Sequence, residues 1–291
     1  MSPQEVFVPV PGGRMFTLQW GEGPLLLFTH ATGMCARVYT DLLAPLADRF
    51  RIVAVDARGH GRTELAADPA RIPADWLLYR KDIVALVQAL GAGPVHLAGH
   101  SFGATASFEA AVDNPGLASS VCLIDPPFIP ADHAEAYRTA CESGRPPNPM
   151  ADQAERRRGT FDSIAAARDS YQGRGVFRDW PDRALDDYLA GGFLPDARGV
   201  RLACPPAWEA TSFRGVSTTF SRNLARADFP FTVLAAGNGS TVPQTEEARI
   251  RANPFATFRR LPDTGHFLAV THPNLVRPYL AACASGTLPD R

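Results

Sequence analysis

The 291-residue chain lacks an excess of either charge: 29 Lys and Arg stand against 30 Asp and Glu, a net charge of −1. That excludes the basic excess of a general nucleic-acid binder, and no nucleic-acid partner is expected. Lysine is almost missing. Lys81 is the only one, so arginine carries the positive charge. The one dense basic run, Arg156-Arg157-Arg158, reads as the solvated face of a helix. Apolar runs such as Leu25–Phe28 fall far short of the roughly 20 residues that span a bilayer, so no membrane partner is expected. The opening MSPQEVFVPV has neither the basic stretch nor the long apolar core of a secretory signal. The five cysteines (Cys35, Cys122, Cys141, Cys204 and Cys283) contain no C-x-x-C pair. Their odd number and wide spacing speak against a disulfide framework or zinc site and fit a cytoplasmic protein. No two histidines share a helix face at metal-ligand spacing, so neither a metal nor a cofactor is expected.

What is present is ordinary for a folded chain of this length: 45% hydrophobic and 20% charged residues, enough to bury a core without staples. Residues 5–9 and 14–20 read as an opening hairpin around Pro11-Gly12-Gly13. Residues 25–29, 51–55, 94–98, 120–124, 231–236 and 257–261 read as strands, most of them continuously apolar as in a sheet covered on both faces. Helices are expected over 42–47, 75–90, 102–112, 242–252 and 274–283, the second ending at Gly91. This alternation predicts an α/β fold with a mostly parallel sheet and helices on both faces.

Between Phe128 and Asn223 no buried strand stands out. The segment holds polar helical stretches, many Arg and Pro, and scattered aromatics, the composition of a helical cap inserted over the sheet. The expected organisation is therefore a core from 1–127, a cap from 128–223, and the rest of the core from 224–291.

The strongest motif is Gly99-His100-Ser101-Phe102-Gly103, a G-x-S-x-G between a strand and an Ala-rich helix. A serine on so sharp a turn projects its hydroxyl from the sheet edge, and the flanking positions have no room for side chains. The helix that follows aims its N-terminus at the site, where negative charge develops. With these features the chain resembles α/β-hydrolase-fold proteins that carry a cap. The resemblance implies a serine nucleophile at Ser101 and a base at His266 in Gly265-His266-Phe267, with His272 the weaker candidate. It also implies an oxyanion hole from the loop His30-Ala31-Thr32-Gly33-Met34, the donors being the backbone N–H groups of Thr32 and Phe102. Ala31 departs from the glycine usual there. His30 reads as a structural loop residue, and Asp56–Gly61, which resembles the D-x-R-G-H-G loop of such proteins, as packing.

The acid is where the pattern departs most. The loop Gly237–Pro243, where these proteins usually carry an aspartate, has no carboxylate. Asp125, at the carboxyl end of the strand after the nucleophile helix, is the first choice. Glu246, Glu247 and Asp263 are the alternatives.

A Ser–His pair of this kind implies acyl transfer through an acyl-enzyme. The expected substrate is a small-molecule ester, lactone or thioester. Carbon–carbon bond hydrolysis and a low-turnover receptor role are the alternatives, and the chain is expected to be a monomer or homodimer. Met34, Phe128 and Phe267, with Phe102, are expected to line an apolar pocket. Tyr171 and Trp208 are candidates from the cap, and cap arginines are candidates to meet a carboxylate or CoA phosphate.

Overall fold

The computed structural model describes residues 2–71, 74–144, 146 and 148–285. Six strands come first: β1 (Gln4–Val10), β2 (Gly13–Trp20), β3 (Leu25–Thr29), β4 (Arg51–Val55), β5 (Val95–His100) and β6 (Ala118–Ile124). Helices α1 (Thr40–Leu43), α2 (Leu77–Ala89) and α3 (Phe102–Asp113) lie among them. The segment that follows holds α4 (Ala134–Glu142), α5 (Pro149–Glu155), α6 (Ile164–Tyr171), α7 (Asp182–Gly191), α8 (Pro206–Arg214) and α9 (Phe220–Leu224). It also holds three short strands, β7 (Thr160–Phe161), β8 (Phe193–Asp196) and β9 (Gly199–Leu202). The chain closes with β10 (Phe231–Ala236), α10 (Glu247–Arg251), β11 (Ala256–Leu261), α11 (Leu268–Thr271) and α12 (Pro273–Ser285).

The main sheet runs β1-β2-β4-β3-β5-β6-β10-β11. Its first three strands pair antiparallel, and every pairing from β4 onward is parallel. All five residues of β3 and all six of β10 are buried, which requires layers on both faces. One layer packs Phe28, Ile124 and Leu234 against Tyr39 and Leu280. The other packs Leu27, Leu97 and Val121 against Tyr79 and Phe108. The segment after β6 is divided between them. Tyr188, Trp180 and Phe193 join the first layer, and Trp208 and Phe220 the second.

Three expectations change. The inserted segment is not purely helical: β7, β9 and β8 form a separate antiparallel sheet. Strands of two to four residues give too short a period-2 pattern to read. The helix expected from Asp75 begins at Leu77 instead, because Asp75 and Trp76 take positive φ (51° and 49°). The helix expected over 242–252 is a 3-10 turn, Gln244–Glu246, followed by the short α10.

Candidate active site

Ser101, Asp125 and His266 follow β5, β6 and β11, so all three stand at the carboxyl edge of the parallel strands. Ser101 has φ 55° and ψ −127°, a conformation L-residues rarely adopt. Its N–H donates to the Ile124 carbonyl at 2.9 Å, which fixes the turn to β6. The two flanking glycines explain the motif. A Cβ on Gly99 would stand 2.4 Å from the Gly103 carbonyl carbon, and one on Gly103 would stand 2.3 Å from the Thr29 carbonyl oxygen. The same contact brings the start of α3 against the end of β3 and its following loop.

His266 Nε2 lies 3.2 Å from Ser101 Oγ, and Nδ1 lies 2.6 Å from Asp125 Oδ2. A carboxylate only accepts. Nδ1–H therefore donates to Asp125, and Nε2 is left to accept from the serine hydroxyl. Asp125 is fully buried. Burial alone would push its carboxyl up. The bond and charge attraction from His266, with the bonds from Ser240 and the Ala236 N–H, together outweigh that and hold it below its ordinary value of 3.8. Ser240 Oγ donates to Oδ1 at 2.5 Å, Ala236 N–H to Oδ1 at 2.9 Å and Thr241 N–H to Oδ2 at 3.0 Å. The sequence alone assigns no role to Ser240 and Thr241. The available signal was a pair of hydroxyls in the loop where a carboxylate was missing.

The alternative acids lie elsewhere. Glu246 accepts from Ser221 at 3.3 Å and pairs with Arg249. Glu247 pairs with Arg251 and Arg260. Asp263 takes φ 58° in the turn after β11. The His272 ring bonds its neighbour Thr271.

The loop after β3 is fixed amide by amide. Ala31 N–H donates to the Tyr39 hydroxyl (3.1 Å), Gly33 N–H to His60 Nε2 (3.1 Å) and Met34 N–H to the Ala31 carbonyl (3.1 Å). Among the described residues, the Thr32 and Phe102 N–H groups donate to no protein acceptor. His60 Nδ1 lies 3.0 Å from the Arg58 carbonyl. The ring must therefore be neutral with its proton on Nδ1, and burial pushes its pKa down to about 4. His30 is held the same way, donating from Nδ1 to the Ala31 carbonyl (2.8 Å) and accepting the Ala57 N–H (2.9 Å) at Nε2. Burial lowers it well below 6.5. Asp56 accepts the Ala36 N–H at 2.8 Å and the Arg62 N–H at 2.9 Å. Residues 56–61, expected as packing, thus also orient the 31–36 loop.

The expected pocket residues separate. Met34 and Phe267 meet the first layer, Phe267 with its ring 5.4 Å from Trp180. Phe128 stacks on Phe220 at 4.5 Å in the second layer, so it does not join them. The Phe102 side chain is buried against Tyr79 and Trp76. Trp208 donates its indole N–H to the Arg58 carbonyl at 3.0 Å. A cavity of about 210 Å³ lies beside His60, Leu194, Arg201 and Trp208, and none of Ser101, Asp125 and His266 lines it.

Arg157 corrects the reading of the basic run. It turns inward, and Nη1 donates to both oxygens of the buried Glu209 at 2.7 and 2.5 Å. Nη2 donates to the Tyr171 and Tyr188 hydroxyls at 3.3 and 3.2 Å. Glu209 in turn sits on the loop after β3, where a Cβ at Gly33 would come 2.4 Å from its Oε1. A short arginine run gives no sign of which member points inward. Among the described residues, no cluster of His, Cys, Asp and Glu is arranged to hold a metal ion. No described helix is long and apolar enough to cross a membrane.

A serine, a histidine and a buried aspartate at the carboxyl edge of such a sheet define a class of hydrolase. The chain belongs to the alpha/beta hydrolase family, whose pattern matches residues 26–277. It is 27% identical over 257 residues to 2-(acetamidomethylene)succinate hydrolase of Mesorhizobium japonicum, covering 88% of this chain and 86% of that protein. The crystal structure of E-2-(acetamidomethylene)succinate hydrolase superposes with a TM-score of 0.79 at 23% identity, over 97% of this chain and 99% of the other. A thioesterase domain from the curacin biosynthetic pathway superposes with a TM-score of 0.75 at 19% identity, over 97% and 100%.

Proposed function

We propose that the protein is a serine hydrolase that cleaves an ester-type bond through an acyl-enzyme on Ser101. One observation carries the reading: a single imidazole, His266, bridges Ser101 Oγ and the buried Asp125 carboxylate. Ser101 Oγ attacks the carbonyl carbon as Nε2 takes the hydroxyl proton. The oxyanion forms against the unpaired Thr32 and Phe102 N–H groups, each such donor being worth ~2.7–4 kcal/mol of barrier. The bond to the leaving group then breaks, and the imidazolium returns the proton to it. Water, deprotonated by the same Nε2, attacks the acyl carbon and frees Ser101. Throughout, Asp125 stays ionised and stabilises the imidazolium.

A second reading concerns the substrate. Arg157 and the hydroxyls of Tyr171 and Tyr188 converge in the insertion, next to Gly33. Among the described residues, neither phenol O–H has a protein acceptor. Two free donors beside a guanidinium suit a carboxylate on the substrate. The relative's name points the same way, since a succinate carries two carboxylates and an acetamide offers an acyl carbon to attack. Amide cleavage uses the same steps, with nitrogen leaving.

The test is a set of paired p-nitrophenyl esters, butyrate against hemisuccinate, with wild type and Arg157→Met, both checked for folding by circular dichroism, and with Ser101→Ala as the control for the nucleophile. Turnover that needs Ser101, with a hemisuccinate preference lost in Arg157→Met, is the expected result. Equal kcat/KM for both esters in both proteins overturns the carboxylate reading but leaves the hydrolase reading standing.

A further inference from the structure

The residue before the nucleophile, His100, has a fully buried side chain that takes no part in the steps above. Its hydrogen bonds form a chain with only one possible direction. The Ala31 N–H can only donate, and it does so to the Tyr39 hydroxyl at 3.1 Å. At the other end the His266 carbonyl can only accept, and it lies 2.8 Å from His100 Nε2. Nε2 must therefore carry the ring proton, which leaves Nδ1 as an acceptor. The Tyr39 hydroxyl, 2.7 Å from Nδ1, must be its donor. Every member is satisfied, and no other arrangement of protons satisfies all of them.

The two ends of this chain matter. Ala31 precedes Thr32, whose N–H is free to face an oxyanion. The carbonyl at the far end belongs to the catalytic histidine itself. The His100 and His266 rings also lie 4.9 Å apart, and Phe267 closes against His100 at 5.4 Å. We propose that Tyr39 and His100 are positioning residues that hold the oxyanion loop and the backbone of His266 in one fixed relation. The inference rests on the hydrolase reading of the site and adds two residues to it.

Burial, then the neighbouring His266, pushes the His100 pKa down to about 3. His100 therefore stays neutral above that value, and the direction of the chain does not change.

The test uses full-length wild type, Tyr39→Phe, His100→Leu and His100→Gln. One readout is the second-order rate of Ser101 labelling by a fluorophosphonate, followed by intact mass. The other is the low-field proton resonance of the His266 Nδ1–H bonded to Asp125. Circular dichroism at the same temperature gives the folded fraction, so that rates refer to folded protein. Tyr39→Phe and His100→Leu are expected to label at least 10-fold more slowly and to shift or broaden the low-field resonance. His100→Gln retains a donor and an acceptor and is expected to recover part of the rate.

Labelling within twofold of wild type, with an unmoved resonance, in both Tyr39→Phe and His100→Leu overturns the proposal. A wild type that the probe does not label instead contradicts the hydrolase reading. The resonance still decides the positioning role in that case: a shift in His100→Leu supports it, and no shift overturns it.

Discussion

Ser240 donates to Asp125 at 2.5 Å from the loop after β10. That loop, where a carboxylate was missing from the sequence, supplies the donors instead of the acid. Asp125 and Ser240–Thr241 follow neighbouring strands, β6 and β10, and the two hydroxyl residues donate to the carboxylate that faces His266. A buried carboxylate without those donors would be held at high cost.

Asp125→Asn leaves the shape of the site but reverses its hydrogen-bond logic, because an amide N–H facing Nδ1 forces the wrong tautomer. The expected fall in kcat is about 10⁴-fold, with an unchanged circular dichroism spectrum. Glu246→Gln and Glu247→Gln, whose partners lie away from His266, are expected to stay within about threefold of wild type in the same assay.

Ser240→Ala removes one donor from an ionised, buried group, a loss of about 1.5–3 kcal/mol. The Asp125 pKa is held below 3.8 in the folded protein. Its ionisation therefore contributes stability that is present above pH 3.8 and lost as pH falls through the lowered value. Removing Ser240 raises the folded pKa, so loss of stability on acidification begins at higher pH. Thermal melts from pH 3 to 7 check this.

His60 has the opposite charge type and a pKa lowered from 6.5 to about 4. The unfolded chain takes up the proton first, so stability is full above pH 6.5 and is lost as pH falls towards 4. The shift corresponds to ~3 kcal/mol. His60→Gln is expected to flatten that part of the stability curve. It is also expected to slow turnover, because Gly33 N–H loses a correctly placed acceptor. Urea titrations at pH 7 and pH 5, with ester hydrolysis alongside, measure both effects.

Breaking the Arg157–Glu209 pair from one side strands a buried charge. Glu209→Leu is expected to cost about 3–5 kcal/mol, and the double variant Arg157→Met/Glu209→Leu to recover much of it. Urea denaturation of the two single variants and the double variant gives the coupling. Additive losses would show that the pair is not a unit.

The fold was legible because its strands carry short, nearly continuous apolar runs that end in chemistry. The run before Gly99, the turn at Ser101 and the Gly265-His266-Phe267 ending each combine a period with a local motif. Asp125 was legible from its place at the carboxyl end of a strand and from the missing carboxylate in residues 237–243, since an aspartate before two prolines otherwise looks like an ordinary loop. What escaped was set by distant contacts. Nothing local distinguishes Arg157 from Arg156 and Arg158, and its inward turn depends on Glu209, 52 positions away. The small β7-β9-β8 sheet has strands too short to show alternation. Phe128 looked like a pocket residue because it follows Asp125, but stacking on Phe220 takes it to the other layer.

The most direct measurement is hydrolysis of a p-nitrophenyl ester series by wild type and Ser101→Ala, side by side at equal concentration. The expected result is saturable turnover by wild type that falls about 10⁴-fold or more in the variant, with the folded structure unchanged. Equal rates in the two proteins, on substrates that wild type clearly turns over, would contradict Ser101 as the nucleophile.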